Sequence, residues 1–352
     1  MIELTREFVH SLPKAELHCH LDGSMRVETI IELANEYNVE LPSDNPEELR
    51  KILEVGENCK SLVDYLRPFG ITCSVLQTKE ALYRATYELA QDAAAENIRY
   101  LEIRYSPILH TAGSLKLTET VEAVLKARHQ AEIDFNIEIG IIICSLRHND
   151  PTQSLTLAEL AVAYKNRGVV GFDLAGDEKN FPAKDHKEAF YLIINNNINT
   201  TVHAGEAYGP ESIHQAIHFI RANRLGHGTR LRENGDLLNY VNDHRIPLEM
   251  CITSNIQTKA VDRYEHHPLK FYFDYGIRVT LNTDNRLISA TTLTDEYMKA
   301  IKYYHFTPDE LKYLILNGFK SSFQPLWAKV RTIKKVTHEL EEKGLIIRRD
   351  YI

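Results

Sequence analysis

Short apolar runs rich in β-branched residues recur along the chain, and longer segments with apolar residues every three or four positions separate them. The short runs are typical of buried strands, and the longer segments have the periodicity of amphipathic helices. Strands are predicted at residues 15–21, 99–105, 137–144, 169–175, 199–204, 223–228, 247–252 and 277–283. Helices are predicted between them, for example at residues 28–37, 80–96, 120–132 and 212–223. Strand then helix, eight times over, predicts a parallel (β/α)8 barrel of the α/β class, the TIM-barrel architecture.

Extra helices are predicted in two places, after the first strand and at the C-terminus. Residues 38–97 have room for two or three of them, and the amphipathic stretch 61–77 contains a proline that should break it. An insertion after the first strand emerges at the C-terminal face of a barrel, so it is expected to cover a site there. The lysine-rich stretch 329–344 is predicted to lie on the solvated surface. Because no repeat, linker or low-complexity tract interrupts the pattern, residues 1–352 are expected to form one domain.

Composition and charge narrow the range of functions. The chain is 43% hydrophobic and 26% charged, which is typical of a globular protein rather than a disordered or membrane one. A net charge of −8 disfavours binding to nucleic acid or to an anionic membrane, and it favours a small-molecule partner. The five cysteines include no C-x-x-C pair, which indicates a reducing compartment. With no signal-peptide pattern and no run long enough to span a membrane, the protein is expected to be cytoplasmic.

Two histidines, His18 and His20, are separated by one residue within the first predicted strand, and Asp22 follows them. Residues i and i+2 of a strand point to the same side, so both imidazoles should face one place, as a metal site requires. On spacing alone they could equally be ordinary barrel histidines. The ends of the other strands, where barrels of this kind concentrate their chemistry, supply further polar residues. These are Arg104, Tyr105, Ser106, Gly176, His203, Glu206, His227, Ser254, Asp284 and Asn285.

Four of these strand-end residues form a plausible set of metal ligands: His18, His20, His203 and Asp284. Three imidazole nitrogens and one carboxylate suit Zn²⁺, which lowers the pKa of a bound water to about 7 and so supplies a hydroxide nucleophile. A two-metal barrel often uses a modified lysine on a central strand as a bridge, and residues 168–178 contain no lysine. One Zn²⁺ per chain is therefore predicted, although iron, manganese or cobalt would accept the same ligands.

Two further polar residues follow the fifth and sixth strands. Glu206 comes three residues after His203 and is not needed as a ligand. A carboxyl beside a metal in a water-poor pocket can hold or pass a proton at neutral pH. His227 could orient or deprotonate the metal-bound water, or it could be a packed histidine in a turn flanked by glycines.

Six motifs occur in order between residues 13 and 289: PKAELHCHLDGS, VVGFDLAGDE, VHAGE, RLGHGTRL, EMCITSN and TLNTDNRLIS. Together they resemble the motifs of the adenosine deaminase family of metal-dependent amidohydrolases. The resemblance implies a zinc ion on the four residues named above, in a barrel of the type already predicted. It also implies that the small-molecule partner is a purine nucleoside, which loses its 6-amino group as ammonia.

The resemblance implies a role for each matched residue. Glu206 would protonate ring N1 as hydroxide attacks C6, and His227 would position that hydroxide. The backbone N–H of Gly176 would bind N3, and Asp22 would accept from the ribose hydroxyls. His20 would contact the substrate as well as the metal.

One position departs from the pattern of many family members, in which a second aspartate follows the metal-ligating one. Here Asn285 follows Asp284. An asparagine amide can donate to purine N7 without first being protonated, whereas a carboxylate cannot. The contact with N7 is therefore expected to survive.

The expected substrates are adenosine and 2′-deoxyadenosine, which would give inosine and 2′-deoxyinosine. A second hypothesis is another 6-aminopurine: adenine, N6-methyl-AMP or an aminofutalosine-type nucleoside. Related subfamilies that act on such substrates often carry glutamate where Asp22 stands. The aspartate of this chain has the shorter side chain, which leaves room for a ribose and favours the nucleoside. A third hypothesis is a non-catalytic zinc barrel, which would not need Glu206 or His227. A cytidine-type deaminase is disfavoured because the sequence has no P-C-x-x-C motif. A monomer or weak homo-oligomer is expected.

Overall fold

The computed structural model describes residues 2–56 and 59–346. Within them, eight parallel strands form one sheet in which each strand pairs with its neighbours in sequence. The strands are β1 (Lys14–His20), β2 (Ile98–Tyr105), β3 (Glu138–Leu146), β4 (Val169–Ala175), β5 (Asn199–Ala204), β6 (Arg224–His227), β7 (Leu248–Met250) and β8 (Val279–Leu281). β4 and β5 coincide with the predicted strands, and the others begin and end within two residues of prediction. The predicted barrel is confirmed.

The barrel closes where the chain beyond β8 meets β1. An isolated bridge joins Cys19 to Asp284. The N–H of Asp284 donates to the carbonyl of His18 at 3.0 Å, and the N–H of His20 donates to the carbonyl of Asp284 at 2.8 Å. Because alternate side chains of a strand share one side, His18 and His20 lie together beside Asp284. Closure thus brings the two ends of the barrel sequence to one place.

Helices cover the outside of the barrel. They are α1 (Arg6–Ser11), α2 (Val27–Tyr37), α3 (Pro46–Leu53), α4 (Leu62–Tyr65), α5 (Phe69–Val75), α6 (Lys79–Ala95), α7 (Leu117–Asp134), α8 (Pro151–Tyr164), α9 (Lys187–Asn195), α10 (Pro210–His218), α11 (Gly235–Asp243), α12 (Ile252–Gln257), α13 (Leu269–Tyr275), α14 (Leu293–Tyr304), α15 (Pro308–Ser321) and α16 (Leu326–Glu342). In the described residues, none of them combines the length and apolarity that crossing a bilayer takes.

One predicted helix, residues 212–223, is too long. The structure ends α10 at His218, and the backbone of Arg221 then takes a left-handed conformation with φ 56°. The N–H of Ala222 bonds back to the carbonyl of Ala216 at 2.9 Å. This turn redirects the chain into β6. The apolar periodicity of the sequence continues through the turn, which is why the predicted helix extends past the observed one.

The described part of the insertion contains four helices, α3 to α6, rather than the two or three predicted. The number was too low because α4 is a single turn, which leaves little periodicity to detect. The break predicted within 61–77 is confirmed, since Pro68 separates α4 from α5. Both short helices lie over the C-terminal mouth of the barrel, where the insertion was expected.

The lysine-rich C-terminal stretch forms most of α16 and is only partly solvated. Most of its charged side chains are exposed, as predicted. The opposite face packs against the protein and buries Ala328, Thr332, Val336 and Leu340. The four-residue spacing of these side chains is that of an amphipathic helix, so the stretch lies on the surface, as predicted, and packs against the protein through one apolar face.

Charged side chains fill the barrel interior below the mouth. Arg104 on β2 donates to Asp173 on β4 at 3.0 Å and to Glu249 on β7 at 2.9 Å. Arg224 on β6 donates to the other oxygen of Glu249 at 2.6 Å and also pairs with Glu102. None of the five is more than 1% exposed, and buried charges persist only when they are paired in this way. The network supports the mouth, because Asp173 and Glu249 also reach two histidines there.

Candidate active site

A cavity of about 360 Å³ opens at the C-terminal ends of the strands, beneath α4 and α5. All the residues that were assigned a role from the sequence line it except His18, whose ring lies 5.4 Å from that of His20, centroid to centroid. The other strand-end candidates Arg104, Tyr105 and Ser254 lie outside its lining. The opposite wall is apolar and comes largely from the insertion, the segment after β2 and the end of β3. Its residues include Leu62, Leu66, Phe69, Leu109 and Leu146. The cavity therefore offers a polar floor and an apolar wall, as a flat heteroaromatic ligand requires.

Three histidines and one aspartate converge at the cavity floor. One ligand atom from each of His18, His20, His203 and Asp284 lies within 4.8 Å of the others. Asp284 Oδ1 is 3.2 Å from His18 Nε2 and 3.4 Å from His20 Nε2, and the Nε2 atoms of His20 and His203 are 3.3 Å apart. His18 Nε2 is buried and has no hydrogen-bond partner among the described residues. Such a convergent set fits one metal ion, and the four predicted ligands are brought together.

Carboxylates behind two of these histidines fix which ring nitrogen faces the cluster. Glu249 Oε2 lies 2.8 Å from His18 Nδ1, and Asp173 Oδ1 lies 3.2 Å from His203 Nδ1. Burial opposes ionisation, but the neighbouring arginines hold the pKa of Glu249 well below its usual range. Despite burial, His203 and Arg104 likewise lower the pKa of Asp173. Both carboxylates accept from Nδ1–H, so each Nε2 presents its lone pair to the cluster.

The roles of Asp173 and Glu249 were not predicted from the sequence. A signal was present, because each is an acid flanked by apolar residues inside a buried strand. Arg104 was noted only as a residue near a strand end, yet it bridges the two carboxylates that orient His18 and His203.

Two residues of the cavity have strained backbones. His227 and Asp284 adopt left-handed conformations with φ 61° and φ 64°, which are uncommon for residues other than glycine. Each lies where a strand gives way to a loop. Asp284 Oδ2 accepts from Ser254 Oγ at 2.6 Å, which leaves Oδ1 directed at the histidines.

Glu206 occupies the loop after β5, beside the metal-ligand cluster but outside it. Its Oε1 accepts from Thr258 Oγ1 at 2.9 Å, and its Oε2 lies 3.5 Å from His227 Nε2. Burial raises the pKa of Glu206, although the nearby His227 opposes the shift. A buried carboxyl with a raised pKa in a cavity is suited to proton transfer near neutral pH.

Glu178, shortly after β4, anchors the loop that carries Glu206. Its carboxylate accepts from four successive backbone N–H groups at 2.5 to 3.3 Å, those of Gly205, Glu206, Ala207 and Tyr208. Successive N–H groups that surround one carboxylate form a strong anion nest. The motif that contains Glu178 was recognised in the sequence, but the residue itself was given no role.

A chain of hydrogen bonds determines which nitrogen of His227 carries the proton. The backbone N–H of Leu269 donates to His267 Nδ1 at 3.3 Å, so neutral His267 carries its proton on Nε2 and donates to Asn255 Oδ1 at 3.1 Å. The amide nitrogen of Asn255 then donates to His227 Nδ1 at 2.9 Å. Burial lowers the pKa of His267 to about 3, which keeps it neutral. Neutral His227 therefore presents Nε2–H to the cavity, next to Glu206.

The residues predicted to contact substrate line the same cavity. Gly176 has φ 98°, a backbone conformation that favours glycine, and a Cβ there would lie 2.8 Å from Nδ1 of the His148 side chain. Asp22 Oδ1 is buried without a hydrogen-bond partner in the described chain, and Oδ2 lies 3.7 Å from Cys73 Sγ. Burial raises the pKa of Asp22 to about 6. Asn285 completes this side of the cavity next to the metal-ligand cluster.

The fold and the cluster define the class of protein. A (β/α)8 barrel that carries a metal site of histidines and an aspartate at the C-terminal ends of its strands has the architecture of a metal-dependent amidohydrolase.

Comparison with known proteins identifies the family within that class. The adenosine deaminase family model matches residues 13–339. The adenosine deaminase of Clostridium acetobutylicum is 44% identical over 331 residues, which are 94% of this chain and 99% of that protein. The probable adenosine deaminase of Dictyostelium discoideum is 46% identical over 97% of this chain, which spans only 45% of that longer relative. The chain belongs to the adenosine deaminase family, as its motifs predicted.

A solved structure supports the same assignment of fold. The crystal structure of adenine deaminase from Arthrobacter aurescens superposes with a TM-score of 0.88 at 27% identity, over 94% of this chain and 99% of that one.

Proposed function

We propose that the protein hydrolyses the 6-amino group of adenosine and 2′-deoxyadenosine, with inosine or 2′-deoxyinosine and ammonia as products. The observation that carries this proposal is the position of Glu206. It is a buried carboxyl with a raised pKa that stands next to the metal-ligand cluster without belonging to it. Relatives that match nearly the whole chain are named adenosine deaminases.

His18, His20, His203 and Asp284 would hold one Zn²⁺ per chain. Their fit to a cation is supported by the Nε2 atom of His18, a buried lone pair that points into the cluster and has no hydrogen-bond partner among the described residues. Three nitrogens and one oxygen are a ligand set that zinc accepts. When bound, such an ion lowers the pKa of a coordinated water and so supplies a nucleophile near neutral pH.

Glu206 would transfer the proton, and His227 would orient the attacking oxygen. His227 presents Nε2–H, so it would donate to the oxygen that attacks C6 rather than take a proton from it. Glu206 would accept the proton released by the water and deliver it to N1, which makes C6 more electron-poor. The second proton of the water, which is left on the new C6 hydroxyl, passes to the amino group. The C6–N bond then breaks, ammonia leaves, and the oxygen remains on C6 as a carbonyl.

The remaining cavity residues would orient the nucleoside. The N–H of Gly176 would bind N3, and the amide of Asn285 would donate to N7. Asp22 would accept from the ribose hydroxyls through its unpartnered Oδ1, and His20 would contact the substrate beside the metal site.

The charge of the cavity favours a nucleoside over a nucleotide. No lysine or arginine is found among the described residues that line it, and Asp22 places a carboxyl where the ribose would lie. A 5′-phosphate would lack a cationic partner and would be repelled by ionised Asp22. Free adenine, the substrate named for the Arthrobacter neighbour, would leave Asp22 Oδ1 buried and unpaired. Adenosine satisfies this oxygen, so we rank adenine and N6-methyl-AMP below it.

An absorbance assay on the purified, zinc-supplemented protein tests the proposal. The substrates are adenosine, 2′-deoxyadenosine, adenine, AMP and N6-methyl-AMP, each with and without a chelator. The two nucleosides should exceed the others in kcat/KM by about 100-fold or more, because polar groups built to bind the ribose are otherwise left unpaired. A preference for adenine or for a nucleotide would overturn the choice of substrate. If no aminopurine releases ammonia, a non-catalytic metal barrel becomes the better account.

Three expectations stay predictions from the sequence. They are a cytoplasmic location, a monomeric or weakly homo-oligomeric state, and a single domain over residues 1–352.

A further inference from the structure

The insertion makes a polar contact with the loop after β8 through Tyr65. This residue ends α4 and is 1% exposed. Asn285 Nδ2 donates to the Tyr65 hydroxyl at 2.9 Å, and Ser289 Oγ lies 2.6 Å from the same oxygen. Since the hydroxyl has one proton, it can accept from Asn285 while it donates to Ser289. Tyr65 thus ties the covering helix to the residue next to Asp284.

Gly23 confines Asn285 from the other side. A Cβ at position 23 would lie 1.9 Å from Asn285 Oδ1, so only glycine lets the amide approach this closely. Oδ1 is buried there without a hydrogen-bond partner in the described chain. With Oδ1 against Gly23 and one Nδ2 proton on Tyr65, the second Nδ2 proton is left for a ligand in the cavity.

We propose that the Tyr65 hydroxyl positions the Asn285 amide so that its second N–H is held toward N7 of the bound purine. This inference rests on the proposed function and goes beyond it, because Tyr65 acts through Asn285 and is a positioning residue. The contact with Tyr65 also explains in physical terms why asparagine, rather than the second aspartate of many family members, suits position 285. An ionised aspartate would accept from the Tyr65 hydroxyl and set a second lone pair against that of N7, whereas the amide donates to both. Recognition of the five-membered ring therefore depends on α4 being seated over the cavity.

The inference is tested with the product inosine and its analogue 7-deazainosine, in which a C–H replaces N7. Tyr65→Phe keeps the ring and removes only the hydroxyl. The inhibition constant for inosine should rise about fivefold, the effect of one lost hydrogen bond, and that for 7-deazainosine should not change. KM for adenosine should rise more than kcat falls. Equal weakening of both inhibitors would mean that Tyr65 acts by packing alone, and it would overturn the proposal, as would no change for inosine.

Matched variants separate positioning from general damage. Tyr304→Phe removes a buried hydroxyl outside the cavity that has no hydrogen-bond partner among the described residues, and it should alter neither inhibition constant. Ser289→Ala removes the other partner of Tyr65 and should show the same selectivity for inosine, which keeps the test open if Tyr65→Phe does not fold. A folded Ser289→Ala protein without that selectivity would contradict the inference.

A double substitution isolates the path through the amide. In an Asn285→Ala background, Tyr65→Phe should have no further effect on inosine, and an additional effect would show that Tyr65 acts by another route. Adenosine deamination by the unmodified protein is measured first. If it is absent, the proposed function fails; if it is present while both inhibitors respond equally to Tyr65→Phe, only the positioning role fails.

Discussion

Replacing Glu178 with glutamine should displace Glu206. The substitution changes none of the four proposed metal ligands. One carboxylate oxygen of Glu178 accepts from Gly205 at 2.5 Å, and the other accepts from Glu206 at 3.0 Å, Ala207 at 2.6 Å and Tyr208 at 3.3 Å. Glutamine has the same shape but a single acceptor oxygen. In the orientation that keeps the most hydrogen bonds, the amide oxygen accepts from Glu206, Ala207 and Tyr208, but the acceptor no longer carries a negative charge. The NH₂ group then faces the N–H of Gly205, which is left without an acceptor.

The magnitude follows from these four bonds. Converting three charge-assisted hydrogen bonds to neutral ones loses about 1 kcal/mol each, and an N–H left without an acceptor costs about 1–3 kcal/mol. The sum, about 4–6 kcal/mol, is the destabilisation of the loop that carries Glu206. The loop can reduce this cost by moving away from its position in the unmodified protein. Because a shift of about 1 Å in a reacting group can lower a rate about 100-fold, we expect kcat to fall by that factor with little change in KM.

The assay is steady-state deamination of adenosine, with metal content and melting temperature measured on the same samples. Asp177→Asn is the matched control, since it removes a neighbouring charge whose carboxylate accepts from Asn180 at 2.7 Å and not from the loop. This control should retain normal turnover. A Glu178→Gln protein with normal metal content and a kcat within about threefold of the unmodified protein would refute the reasoning.

Three other substitutions probe the site itself. Glu206→Gln removes the proposed proton donor but none of the proposed metal ligands, so metal content should persist while kcat falls about 100- to 10,000-fold. Near-normal turnover would rule out the proposed transfer. Burial raises the pKa of Asp22 to about 6, so its carboxyl is protonated below that pH. Above it, the ionised carboxylate would accept from the ribose hydroxyls in the proposed complex. KM for adenosine should therefore rise as pH falls through 6, and Asp22→Asn should remove this pH dependence. If the pH dependence of KM is the same in Asp22→Asn, Asp22 is not its cause. Glu249→Gln weakens the acceptor behind His18, and a chelator titration should show metal affinity reduced about 10- to 100-fold, whereas unchanged affinity would contradict the orienting role.

The strands and the metal-ligand cluster could be predicted because their signals are local. β4 and β5 were placed correctly from runs of β-branched and apolar residues, and the His18–His20 spacing directed both rings to one side. Once the barrel was inferred, the strand ends had to meet at one face, which gathered the ligands.

Contacts across the barrel could not be predicted in the same way. Arg104 and Glu249 are partners from β2 and β7, and their pairing depends on the stagger of several intervening strands. The sequence showed that 61–77 should cover the site, but the contact of Tyr65 with Asn285 depends on how the insertion folds back over the mouth. The turn that stops α10 near Arg221 is likewise set by the entry into β6, not by helical periodicity.

The left-handed backbones of His227 and Asp284 have a practical consequence for engineering. Each stores about 1 kcal/mol or more of backbone conformational energy. Hydrogen bonds from Asn255 to His227 and from Ser254 to Asp284 hold the two residues in this conformation. A substitution that breaks either hydrogen bond lets the backbone relax and misplaces the side chain, so a melting temperature alone does not report whether the site is intact. Any thermostable variant of this enzyme should therefore be selected on turnover and melting together.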